Sequence, residues 1–226
     1  MTISEDVLLS LELIPPDVPT LPAKARSALI AYLIRWECFD AARRCLQQLL
    51  VTHSHLVSVY DNMARVHLAM NNPEQALEMM RRRHTLRESV ASRVLEARAH
   101  LAAGDIAAAQ AIAHGLATSH PGTVATWSLK ADVCQAAGDA EGAEAALRQR
   151  EALRPNLAST AQGFAQLWQA RKDTEKALLW AQTALARHKR RERRPPVELL
   201  RLLVTLYGAA GQPAQAEATA ARLQQR

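Results

Sequence analysis

The chain has 226 residues, 49% of them hydrophobic, 22% charged and only 4% aromatic, with a formal charge of +6. A chain of this size can bury about 70% of its unfolded surface, and with an apolar content near one half this excludes whole-chain disorder. Only 8 Gly and 10 Pro leave few tight turns, so the composition argues against an all-β sandwich or barrel and favours helices.

From the N-terminus, MTISEDVLLSLELIPP has Glu5 and Asp6 where a signal peptide would carry Lys or Arg. A short helix is expected over 5–13, then a Pro-rich link through Pro15, Pro16, Pro19 and Pro22. Val7, Leu8, Leu11 and Ile14 make residues 1–22 a candidate cap for the helices that come after them. No run of 18 apolar residues occurs anywhere, so no transmembrane helix is expected. Cys38, Cys45 and Cys134 form no CxxC pair. A disulfide framework or structural zinc is therefore not expected, and the chain reads as cytoplasmic.

A repeat dominates the rest. WECFDAA, NNPEQA, GDIAAA, GDAEGA, KDTEKA and GQPAQA each place an alanine shortly after a turn. The first turn residues are 37, 71, 104, 138, 172 and 211, at intervals of 34, 33, 34, 34 and 39. The alanines are Ala42, Ala76, Ala109, Ala143, Ala177 and Ala216, and before each turn stand Ile30, Ala64, Ala97, Ala131, Ala165 and Val204. Small side chains on both sides of a turn let two antiparallel helices approach closely. Each unit is thus expected to be an αα-hairpin. Gly104–Asp105 and Gly138–Asp139 supply a helix stop and the next N-cap, and Pro73 and Pro213 open second helices. Pro121 and Pro155 close the third and fourth units.

A period of 34 with alanine at these places resembles the tetratricopeptide repeat family, over residues 23 to 226. Unit starts fall at 23, 57, 90, 124, 158 and 197. Trp127 and Tyr60 then occupy the family's fourth position, and Trp168 and Tyr207 its eleventh. His67 and His100 at the eleventh position and Glu96 at the seventh depart from the pattern. The resemblance implies an all-α, right-handed α-solenoid of about six helix hairpins, each packing mainly on its neighbours.

No enzyme signature is present: GxxxxGK[ST], GxSxG and HExxH are all missing, and no cofactor is expected. His53 and His55 lack a third ligand nearby, so they read as exposed histidines rather than a metal site, and Cys134 reads as a packing residue. What remains is a surface. The resemblance implies a groove lined by unit positions 2, 5, 9 and 12 of the first helices. Position 5 gives Ser27, Asp61, Val94, Ser128, Gln162 and Arg201, and position 9 gives Ala31, Arg65, Arg98, Asp132, Gln166 and Thr205. With Asn62 added, the candidate partner-binding residues are Asp61, Asn62, Arg65, Arg98, Asp132, Gln162, Gln166 and Arg201. Such a mixed groove suits a peptide read by hydrogen bonds and small pockets. The lysine–asparagine clamp that some members use on chaperone tails is not matched, since Ser27 and Ala31 stand at its first-unit places.

Charge is concentrated in two runs. Residues 187–194, RHKRRERR, carry +5 and residues 81–87, RRRHTLR, carry +4, so the rest of the chain carries −3. The first run coincides with the long interval, within an insertion at 187–196, and offers Arg187, Lys189, Arg190, Arg191, Arg193 and Arg194 as a basic patch. The expected function is a non-catalytic scaffold or adaptor binding a protein segment. The alternatives are a nucleic-acid accessory module using the basic runs, and a regulatory or oligomerising domain meeting its partners through the last helix.

Overall fold

A computed structural model describes residues 18–190 and 195–224, with residue 190 described by its backbone only. The helix expected over 5–13, with Val7, Leu8, Leu11 and Ile14, lies outside the described residues. So do Arg191, Arg193 and Arg194.

The described residues form one 3-10 turn, Val18–Thr20, and twelve α-helices. These are α1 (Ala23–Arg35), α2 (Phe39–Thr52), α3 (Val57–Ala69), α4 (Pro73–Leu86), α5 (Val90–Ala102) and α6 (Ile106–Ser119). There follow α7 (Val124–Ala136), α8 (Ala140–Leu153), α9 (Ala158–Ala170), α10 (Thr174–Arg190), α11 (Val197–Ala209) and α12 (Pro213–Gln224). The six odd-numbered helices begin at the six unit starts expected from the intervals, and each has 13 residues. The structure is all-α, as expected.

The hairpin turns share one cause. Glu37, Asn71, Gly104, Gly138, Lys172 and Gly211 all lie in the left-handed region, with φ between 58° and 80°. This is the C-terminal stop in which the next residue's N–H reaches back to the helix's last turn. The bonds Cys38 to Leu33, Asn72 to His67, Asp105 to His100, Asp139 to Cys134, Asp173 to Trp168 and Gln212 to Tyr207 are 2.8–3.0 Å long. Glycine adopts this conformation freely, whereas a side chain such as that of Glu37 or Lys172 costs about 1–2 kcal/mol. Asp105, Asp139 and Asp173 then cap the following helices, accepting from the N–H groups of Ala108, Gly142 and Lys176 at 2.8–3.1 Å.

The chain divides into two compact units, Met1–Ile112 and Ala113–Arg226, the division falling inside α6. In the first, one cluster joins α1, α2 and α3 through Leu33, Leu46 and Met63, with Val18 fully buried against it. A second joins α3, α4 and α5 through Ala64, Ala76, Met80, Leu95 and Ala99. In the second unit, Ala131, Ala143, Leu147, Phe164 and Leu167 pack α7, α8 and α9 together. Ala165, Ala177, Ala181, Leu199, Leu203 and Leu206 do the same for α9, α10 and α11. The alanines at the expected contact points are completely buried from Ala42 to Ala177. Ala216 is only partly buried, and α12 buries just Thr219.

The long fifth interval is absorbed in part as helix. α10 has 17 residues, against 14 in α2, α4, α6 and α8.

Candidate functional site

Repeat position 9 faces solvent in both units. Ala31, Arg65 and Arg98 in the first unit, and Asp132, Gln166 and Thr205 in the second, are all exposed. Position 8, one residue earlier, is Ile30, Ala64, Ala97, Ala131 or Ala165 in the first five repeats, each at most 4% exposed, and the half-buried Val204 in the sixth. One residue of helix turns the chain by about 100°, so a sharp switch from core to solvent at the same place fixes the outward face of each first helix.

Position 5 is less uniform. Arg201 and Ser27 are exposed, Gln162 and Ser128 are half-buried, and Val94 is buried. Val94 therefore belongs to the core rather than to the expected groove, because an aliphatic side chain at the margin turns inward. Asp61 is also committed internally: its carboxylate accepts from Arg83 Nε at 3.0 Å, across an ion pair whose guanidinium is 5% exposed. Arg83 donates further to the Arg87 carbonyl and to Ser89 Oγ. Asn62 accepts from Arg65 within α3, at 3.4 Å.

The second unit also contains an open cavity of about 450 Å³ between α8, α9 and α10. Its wall is aromatic. Phe164 and Trp180 stack with centroids 4.5 Å apart and planes 23° from parallel. Trp168 stands beside them, with Lys176 Nζ at 4.3 Å and the Arg171 guanidinium at 4.8 Å from its ring centre. At this level α8 and α9 meet at Gly163, where a Cβ would stand 2.7 Å from a Leu147 methyl and oblige that side chain to shift. The rim is ionic. Glu144 accepts from Arg148 at 2.6 Å and from Arg171 at 2.7 Å, and the Arg171 bond is the main reason its carboxyl titrates below the ordinary range.

A family model for the tetratricopeptide repeat matches residues 58–82, 90–114, 124–149 and 197–222. These segments begin within one residue of four of the six first helices. The chain contains tetratricopeptide repeats. Solved tetratricopeptide repeat structures resemble it in fold. One from Parabacteroides merdae superposes with a TM-score of 0.73 at 14% identity, over 97% of this chain and 84% of that one. A thermophilic member from Thermus thermophilus gives 0.66 at 18% identity, over 75% and 91%. PilW, a type IV pilus biogenesis factor, gives 0.66 at 16% identity, over 88% and 90%. Among curated proteins no sequence matches.

Within this repeat frame several described members of the basic runs are engaged internally. Arg187 forks onto Glu151, with Nη2 to Oε1 at 2.8 Å and Nη1 to Oε2 at 3.2 Å, and also donates to the Leu157 carbonyl. Its side chain is 14% exposed, so it tethers α10 to α8 instead of standing in a free patch. Lys189 is exposed. In the other run Arg81 and Arg82 pair with Glu78, and Arg83 with Asp61.

The histidines at position 11 sit as polar-tipped packing residues. His67 is partly buried, and burial, aided by Arg43, pushes its pKa down. His100 meets Asp105 at 3.1 Å. His53 contacts Arg26 Nη1 at 2.7 Å, and no metal-binding group of three occurs among the described residues. Burial and the neighbouring Asp139 push the Cys134 thiol up, away from the thiolate a nucleophile needs. Among the described residues, no helix is long and apolar enough to cross a membrane.

The position-9 residues that the resemblance implied are exposed, whereas the aromatic cavity was missed. Its available signal was the i, i+4 pair Phe164 and Trp168 on one helix, with Trp180 one helix on, in a chain of nine aromatic residues.

Proposed function

We propose that this chain is a non-catalytic interaction scaffold that binds a segment of a partner protein along the exposed face of its first helices. Tetratricopeptide repeats indicate a protein-interaction role. The finer reading rests on one observation, the outward row at position 9. It presents Arg65 and Arg98 in the first unit and Asp132 and Gln166 in the second, above a buried position 8. Asn62 in the first unit and Gln162 and Arg201 in the second stand near these positions, so each unit offers both hydrogen-bond donors and acceptors, as suits recognition of an extended or helical peptide. Asp61 contributes by holding Arg83 and the α4–α5 connection, not as a direct contact.

Among structures of similar fold, one is the APC/C hetero-tetramer Cut9–Hcn1 and another is PilW, a type IV pilus biogenesis factor. That agrees with a scaffold role. A cytoplasmic setting stays part of this reading, on the grounds given by the sequence.

Affinity capture with wild type and with the Arg65→Glu/Arg98→Glu double variant tests the site. Partners lost with the variant, and recovered with Arg65→Lys/Arg98→Lys, support it. A partner set indifferent to charge reversal would move the site off this face.

A further inference from the structure

We infer that the cavity between α8, α9 and α10 is a second docking site. Its occupant is a peptide that inserts one large apolar side chain beside an acidic residue. The site lies between the second helix of the fourth repeat and both helices of the fifth, and the inference does not depend on the face formed by position 9.

Three observations converge. The first is size and lining: about 450 Å³, open to solvent, against Phe164, Trp168 and Trp180. That volume falls in the range of about 300–1,000 Å³ typical of ligand pockets. Trp168 and Trp180 are half-buried, so part of each ring faces the opening. Exposed aromatic surface of this kind is where interfaces anchor.

The second is rigidity. Phe164 and Trp180 hold each other by stacking, and Arg187 locks the end of α10 to Glu151 on α8. The wall is therefore formed before a guest arrives, which removes an ordering cost from binding.

The third is charge, and it selects the occupant. Two rim carboxylates, Glu144 and Glu151, are bound by three guanidiniums, those of Arg148, Arg171 and Arg187. Lys176 over Trp168 is balanced by Asp173 at 2.8 Å. One positive charge is left in excess, and the most exposed member of the set is Arg148, at 73%. Its carboxylate is already shared with Arg171, so a guest's Asp or Glu can take up Arg148 without breaking the rim. A basic guest would meet no unshared carboxylate there.

Selection of a random heptapeptide library on the full chain provides the test, repeated with Ala152→Phe and Arg148→Glu as baits. Ala152 lines the cavity and is exposed, so a phenyl group there fills the space and leaves the core intact. Wild type is expected to enrich peptides with Phe, Trp or Leu within two residues of Asp or Glu. Titration of an enriched peptide should change the tryptophan emission, weaken at least tenfold with Ala152→Phe, and lose its acidic preference with Arg148→Glu. Arg65→Glu/Arg98→Glu should leave that affinity within twofold, which separates this site from the first-helix face. No enrichment, enrichment without the apolar–acidic pairing, or equal binding to Ala152→Phe overturns the inference.

Discussion

Replacing Ala143 by leucine probes the central packing argument. Ala143 is completely buried, in a cluster with Ala131, Leu147 and Phe164 that joins α7, α8 and α9. Leucine adds three carbons where no space exists, and overpacking of a dense core costs about 1–3 kcal/mol. The upper end applies, because the neighbouring helix presents an alanine of its own and cannot retreat without moving its backbone. Ala216 holds the same repeat position on α12 but is only partly buried. Ala216→Leu should therefore change stability by less than about 0.5 kcal/mol, as surface substitutions do. Leucine and alanine are both good helix formers, so propensity cannot produce the contrast. Urea unfolding followed by tryptophan emission measures both, since Trp127, Trp168 and Trp180 all lie in the second unit. A midpoint loss of about 6–12 °C is the thermal counterpart for Ala143→Leu, at roughly 2–4 °C per kcal/mol for a chain of this size. Equal effects at the two positions would refute the claim that recurrent alanines set the helix spacing.

The turn residues make a second comparison. Gly138→Ala puts a Cβ at φ 75° and should cost about 1 kcal/mol, whereas Lys172→Gly relieves strain at φ 58° and should gain about 0.5 kcal/mol, both read by chemical denaturation. Arg83→Met keeps the apolar stem but leaves Asp61 without its guanidinium. The expected loss is about 3 kcal/mol, the low end for a broken buried pair because Asp61 keeps some access to water, and circular dichroism in urea would report it. Glu144 sets a pH prediction. Its carboxyl is held below the ordinary 4.5, so its pairing is fully present above that value and is lost as pH falls through the lowered one. Arg171→Met should raise the Glu144 midpoint in a carboxyl-carbon NMR titration; an unchanged midpoint would show that Arg171 is not its principal partner.

Hairpin register was readable from the sequence because its causes are local. A residue in the left-handed conformation, an alanine five residues on and another small residue seven before lie within one turn and its flanks, as at Ala131, Gly138 and Ala143. Helix periodicity then carries position 9 outward: Arg65, Arg98, Asp132 and Gln166, which the family resemblance implied for the groove, are all exposed. Position 5 was not legible to the same degree. It lies at the margin of the buried stripe, where Val94 turns inward and Arg201 outward according to side-chain chemistry and to what the next helix presents.

Basic residues illustrate the other limit. Counting charge along the chain finds 187–194, but Arg187 meets Glu151, 36 residues away. Arg83 likewise meets Asp61 from 22 residues away. A composition count has no access to such partners, because a long side chain can reach any helix that packing brings near. The repeat period, the turn sites and the outward faces thus follow from short-range sterics written into the chain. Which arginines are spent on internal carboxylates, and that Phe164, Trp168 and Trp180 share one cavity, depend on helices meeting in space. Only the folded packing decides that.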